Sequence, residues 1–171
     1  SKYVDPTFYR SLVGSLMYLT ATRPNITSGV SLISRFMEQP KKTHWEARKK
    51  NLRYVQGILG DRLYYQKKKD SKVIGYCDRD WAESVDDSKS TSENVFFIGS
   101  SAITWMSKKQ QVVPLSTAEA EYICLSLASC QALWITWVLE DLKHARKESP
   151  IIYCDSKSAI ALKENLGRAG I

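Results

Sequence analysis

Hydrophobic positions recur along the chain with two periods, and the change between them falls near residue 70. Before it the spacing is helical. Asp5-Pro6 offers an N-cap followed by Pro at the first helical position, and Phe8, Leu12, Leu16 and Leu19 then share one face. Thr20 to Pro24 interrupts the pattern, and a second short helix carries Ile26, Val30, Ile33 and Met37 towards Pro40. A third opens at Thr43 with Glu46 three residues on, a capping box, and is predicted to turn Trp45, Leu52, Val55 and Leu59 inward before a C-cap at Gly60. Beyond the change, Val73 to Cys77 reads as a short strand ending at Asp78, and Val95 to Ile98 with Ala102 to Met106 as a hairpin around Gly99-Ser100-Ser101. Gln111 to Leu115 is a poorer, Pro-interrupted strand candidate. A long helix from about Thr117 to Lys143, a strand Ile151 to Cys154 ending at Asp155, and a short helix through Ala159 to Leu162 follow. Antiparallel neighbours, then a helical crossover to another strand, predict a mixed sheet with helices packed on it.

A length of 171 residues with 43% hydrophobic content excludes a disordered tail or a fibre. At this size roughly two-thirds of the unfolded surface is buried, so neither a metal nor a disulfide is needed for folding. The four cysteines, at 77, 124, 130 and 154, show no Cys-x-x-Cys spacing, and neither His44 nor His144 lies within helical reach of one, so no zinc site is expected. Reduced thiols in an intracellular compartment, cytoplasmic or nuclear, are the expectation. The start shows no secretory signal and lacks an initiator Met, which reads as a fragment or processed piece. Tyr122 to Leu139 runs 18 residues without a charge, but Ser126, Ser129, Gln131 and Thr136 inside it and acids at both ends predict a helix buried in a soluble protein, with no membrane as partner.

Charge divides the chain at the same place. Residues 1–70 hold 14 Lys+Arg and 5 Asp+Glu, a net +9, whereas residues 71–171 hold 11 and 13, a net −2. The third helix presents Arg48, Lys49, Lys50 and Arg53, with Lys41, Lys42 and Lys67 to Lys69 nearby; this is either a solvated face or a nucleic-acid-binding one.

In the acidic part, Asp78 and Asp155 each follow an apolar run and continue its alternation, which puts an acid at the exit of a strand and so at the rim of the sheet, where ligand crevices of open α/β sheets lie. Asp155 alone would also serve as a helix cap. Glu121 begins the register Glu121, Leu125, Ala128, Ala132, Ile135 and Leu139, the apolar stripe of the long helix, and a carboxylate in line with a buried face needs a cation or hydrogen bonds. Glu119 falls about 160° away around the helix and is expected to be solvated or to meet the helix dipole. Three carboxylates converging on one rim repel one another unless divalent cations lie between them; oxygen ligands suit Mg²⁺ or Mn²⁺, and a pair of such ions can hydrolyse a phosphodiester. Asp80 is a candidate to support such metals from outside, and Asp86-Asp87 reads as a turn.

At these residues the sequence closely resembles the carboxyl-terminal part of the Pol polyprotein of Ty1/copia-type long-terminal-repeat retrotransposons. The resemblance is carried by Tyr9 to Leu19, Thr22 to Ile26, Leu52 to Val55, Gly75 to Ala82, Lys89 to Ser92, Ser107 to Gln110, Leu115 to Tyr122 and Tyr153 to Asp155, nearly the whole chain. It implies a piece running from the reverse transcriptase thumb or connection into the ribonuclease H domain, which cleaves the RNA strand of RNA–DNA hybrids with two Mg²⁺ ions held by an Asp, Glu, Asp, Asp set. By motif the first three fall on Asp78, Glu121 and Asp155. The fourth follows a His-Ile-Asp stretch, where this sequence instead closes with Gly167-Arg168-Ala169-Gly170-Ile171, and the paired aspartates of the polymerase motif are absent. Glu83, Glu93-Asn94 and Asn25 depart from the family's usual Gly, Gly-Tyr and Asp.

The expected architecture is therefore α/β: residues 1–70 a helical, basic, thumb-like segment, and residues 71–171 a ribonuclease H-like domain incomplete at its C-terminus. The expected activity is metal-dependent hydrolysis of RNA in RNA–DNA hybrids, impaired by the missing acid, within a larger Pol polyprotein. The alternative is an inactive nucleic-acid-binding or residual transposon fragment. An integrase or transposase is disfavoured because its order is Asp, Asp, Glu, and here Glu121 precedes Asp155.

Overall fold

The computed structural model describes residues 4–66, 72–80, 89–156 and 161. Lys67 to Lys69, the side chain of Asp80, Glu83, Asp86-Asp87 and, Ala161 apart, the short helix expected at Ala159 to Leu162 lie outside these residues. The chain divides into two compact units, Ser1–Tyr64 and Tyr65–Ile171.

The first unit is helical: α1 (Pro6–Leu19), a 3-10 turn (Pro24–Ile26), α2 (Thr27–Ser34) and α3 (Lys42–Gly57). Asp5 caps α1, its Oδ1 accepting from the Thr7 amide at 2.9 Å. The buried stripe of α1 is Tyr9, Val13 and Leu16, one residue round from the expected one, and Phe8 is half exposed. Tyr9 can enter the core because its hydroxyl donates to the Ile33 carbonyl at 2.9 Å, which removes the cost of burying the phenol. Ile26, Val30 and Ile33 complete that core, with Met37, Trp45, Val55 and Ile58 packed against it. Of the stripe expected for α3, Trp45 and Val55 pack on the core, but Leu52 is exposed, as is Leu59 beyond the helix end, and Arg48 and Asn51 turn inward. Asn51 Nδ2 donates to the Gly29 carbonyl, and the Arg48 guanidinium lies 3.5 Å from the centroid of the Trp45 ring, its Nε and Nη1 finding no hydrogen-bond partner among the described residues. The amide of Lys41 donates to His44 Nδ1 at 3.1 Å, so this end is capped from one side, by His44, in place of the expected Thr43 and Glu46.

The second unit is a mixed four-stranded sheet with one long helix: β1 (Val73–Asp80), β2 (Thr91–Ile98), β3 (Ser101–Lys109), α4 (Thr117–Asp141) and β4 (Ile151–Cys154), in sheet order β3-β2-β1-β4. β2 and β3 form the expected hairpin, with Gly99 at φ 63°, the left-handed conformation that glycine adopts without strain. Gln111 to Leu115 forms no strand; Pro114 cannot donate to a ladder. β1 pairs antiparallel with β2 and parallel with β4, placing Cys77 opposite Cys154. The parallel pair is made by the α4 crossover, whose buried residues Cys124, Leu125, Ala128, Ala132 and Ile135 meet Val73, Cys77 and Phe96 of the sheet. Small residues on α4 let it approach closely, and Gly75 does the same for β1: a Cβ there would run into the ring of the fully buried Phe96. By length and composition α4 could cross a membrane, yet this stripe packs on the sheet, while Leu133, Trp134 and Trp137 on its other side are exposed.

Candidate site at the strand ends

The N-terminus of α4 sets the site. Ser116 caps the helix, its hydroxyl accepting from the Glu119 amide at 3.1 Å, while the Glu119 carboxylate reaches back to the Leu115 amide. Glu119 is thereby used at the helix end, and Glu121 lies on the side that meets the sheet. Gln110, buried just after β3, ties these elements together: its amide donates to Ser92 of β2 and to the Ala120 carbonyl of α4, both at 2.9 Å. Gln110 and Ser92 belong to stretches with family resemblance, but no pattern of alternation reveals that they meet.

Glu121 and Asp155, from the start of α4 and just beyond β4, come together with Cys154: one ligand atom from each lies within 4.8 Å of the others. Asp78 is outside this group. It stands on β1 opposite Glu93 of β2, exposed, and its Oδ1 accepts from the Arg79 amide at 2.7 Å. Arg79, not foreseen from the sequence, bridges the elements: its Nε meets Glu121 Oε1 at 2.9 Å, with the two side chains only 12% and 18% exposed. The other carboxylate oxygen, Glu121 Oε2, is buried and has no hydrogen-bond partner among the described residues. An unpaired anionic oxygen is costly at such a depth, and two carboxylates with one orphaned oxygen make a donor set that fits a hard divalent cation. Beneath the group, Cys124 Sγ donates to the Asp78 carbonyl at 2.9 Å. A hydrogen bond with Cys124 and burial push the Cys77 thiol well above its ordinary pKa, so it stays protonated.

In the first unit the four basic candidates separate. Arg48 is buried at 5% exposure, clamped by Trp45 and with Phe8 at 6.0 Å, and burial lowers its pKa. It therefore does not stand on the basic face where charge alone placed it. Lys49 pairs with Glu46 at 3.1 Å, both half exposed, whereas Lys50 and Arg53 are exposed.

The sequence is 44% identical over 92% of its length to the retrovirus-related Pol polyprotein from transposon TNT 1-94 of Nicotiana tabacum, and 38% identical over 96% to that from transposon RE2 of Arabidopsis thaliana. It is also 41% identical over 75% of its length to the secreted RxLR effector protein 161 of Plasmopara viticola, covering 91% of that protein. The chain belongs to the sequence family that these proteins share, and its long relatives are retrotransposon Pol polyproteins. It spans only 12% and 11% of the length of the two Pol polyproteins. No family model and no solved structure matches it.

Proposed function

We propose that the second unit is a ribonuclease H-like segment of a copia-type Pol polyprotein that hydrolyses the RNA strand of RNA–DNA hybrids with Mg²⁺ or Mn²⁺. The observation that supports this best is the approach of Glu121 and Asp155 from separate elements, with Glu121 Oε2 buried and unpartnered among the described residues. Glu121 and Asp155 would hold the metal, and Asp78 would join them on leaving its bond to the Arg79 amide. Two such ions, when bound, supply an activated water and charge stabilisation at the leaving oxygen. The protein's part is to hold Glu121 and Asp155 together at the rim, with Gln110 and Ser116 holding the start of α4 so that Glu121 faces inward. Substrate contact would be to phosphates and hybrid shape without a base code, with Lys49, Lys50 and Arg53 of the first unit as the polyanion-binding residues and Arg48 supporting their helix from within. The rest of a Pol polyprotein is the natural partner, and a cytoplasmic or nuclear location follows from that role.

One observation favours a second reading, an inactive transposon-derived fragment: Arg79 already neutralises Glu121. Cleavage of a labelled hybrid with Mg²⁺ or Mn²⁺ decides between them. Metal-dependent cleavage that Asp78→Asn abolishes supports the nuclease; hybrid binding with no cleavage supports the fragment.

A further inference from the structure

The spacing of cysteines in the sequence gives no zinc motif, yet the fold carries one thiol to the carboxylates. β1 and β4 run parallel with Cys77 opposite Cys154, and Cys154, partly buried at the end of β4, is next to Asp155, which lies just beyond the strand. One atom each of Glu121, Cys154 and Asp155 lies within 4.8 Å of the other two. Oxygen ligands alone select Mg²⁺ or Mn²⁺; a thiolate added to them selects softer ions. We propose that Cys154, Glu121 and Asp155 form a binding site for a thiophilic divalent cation of the Zn²⁺ or Cd²⁺ kind.

The geometry is close to what such an ion requires. With Zn–S near 2.3 Å and Zn–O about 2.0–2.2 Å, tetrahedral ligands stand roughly 3.3–3.6 Å apart. From separations of up to 4.8 Å the three atoms therefore need to close by no more than about 1.5 Å, within reach of side-chain rotation at the open end of a strand. Arg79 holds Oε1 of Glu121 and is the charge that the incoming ion competes with, while Oε2 is buried with no hydrogen-bond partner among the described residues. On binding, the Cys154 thiol gives its proton to solvent and the metal takes its place, so the site carries three negative charges against two positive ones, with the Arg79 guanidinium alongside supplying one more. Three protein ligands leave the fourth position to water, the arrangement of an exchangeable metal and not of a closed structural one. Cys77 is an unsuitable ligand, since its side chain is buried in the core between the sheet and α4.

The consequence for activity rests on the ribonuclease reading: a Zn²⁺ ion held through Cys154 occupies the oxygens that Mg²⁺ needs, and inhibits. The binding itself does not rest on cleavage, and the test reads it directly. Chelator-treated full chain carrying Cys130→Ser, which removes the exposed thiol on α4, is titrated with Cd²⁺ while the ultraviolet thiolate-to-cadmium charge-transfer absorption is recorded. One equivalent per chain is expected, displaced by Zn²⁺, with the band lost in Cys154→Ser and binding weakened at least about tenfold in Glu121→Gln and in Asp155→Asn, each removing one ligand. Should Cys154→Ser fail to fold, the two carboxylate variants, which retain Cys154 and the other two thiols of the Cys130→Ser chain, decide by themselves. A band that survives Cys154→Ser, or affinity unchanged in both carboxylate variants, overturns the proposal. Hybrid cleavage without any Cd²⁺ band would sink this site and leave the nuclease standing, and a band without cleavage would do the reverse.

Discussion

Arg79→Met isolates the contact on which the two functional readings differ. Nε of Arg79 and Oε1 of Glu121 meet at 2.9 Å, with side chains 12% and 18% exposed, so this is a nearly buried, charge-assisted bond. Such bonds contribute about 1.5–3 kcal/mol, and removing one partner of a fully buried pair costs roughly 3–5 kcal/mol because the other charge is left uncompensated. Glu121 retains some solvent and has Asp155 as a like-charged neighbour, effects of opposite sign, so a loss of about 2–3 kcal/mol is expected for the second unit without divalent ions. For a unit of this size that is a fall in melting temperature on the order of 10 °C. A divalent ion at about a hundred times its dissociation constant returns roughly 2.7 kcal/mol. Saturating Mn²⁺ should therefore restore most of the loss in Arg79→Met, and should stabilise the unmodified chain less, because there the ion competes with the guanidinium. Thermal melts of both proteins in chelator and in Mn²⁺, with Glu121→Gln and the double variant closing the cycle, make the comparison. The reasoning is refuted if Arg79→Met is as stable as the parent in chelator, or if Mn²⁺ raises both proteins equally.

Three other substitutions probe the framework. Gly75→Ala drives a methyl into the Phe96 ring and should cost about 1–3 kcal/mol by overpacking, read by denaturant unfolding, with Phe96→Leu as a partial rescue. Gln110→Leu removes the bonds to Ser92 and Ala120 and should destabilise the unit by about 1–3 kcal/mol while raising hydrogen exchange at the start of α4. Tyr9 has a pKa raised above its ordinary 10.0 by burial, Arg48 partly offsetting it, so the unfolded chain releases this proton first: stability is full below pH 10.0 and declines as pH rises towards the folded value. Tyr9→Phe should flatten that alkaline decline, a result checked by unfolding across the pH range.

Local pattern was enough wherever a residue's neighbours in sequence decide its environment. Alternation along Ile74, Tyr76 and Asp78 and the stripe from Glu121 through Leu125 to Ile135 follow from periods of two and 3.6 residues, and so do β1 and the buried face of α4. The hairpin was legible because Gly99 supplies the one turn conformation it needs. What escaped depends on partners distant in sequence. Arg48 reads as one more surface cation until Trp45 and Phe8 are found around it, and Phe8 outranks Tyr9 as a core residue until the Ile33 carbonyl is there to accept the phenol. Arg79 meets Glu121 across 42 positions, a contact no periodicity encodes. The same holds for Cys154: in sequence it is a small hydrophobe in a strand, and its chemistry emerges only when α4 brings Glu121 to it.

Crystals of the chain soaked in Mn²⁺ and examined by anomalous diffraction give the most direct answer. The account predicts a peak about 2.0–2.2 Å from a carboxylate oxygen of both Glu121 and Asp155, with Arg79 drawn aside and Asp78 turned towards the ion. A map with no peak there at saturating Mn²⁺, or one in which Arg79 keeps Glu121 and the ion settles elsewhere, would contradict it.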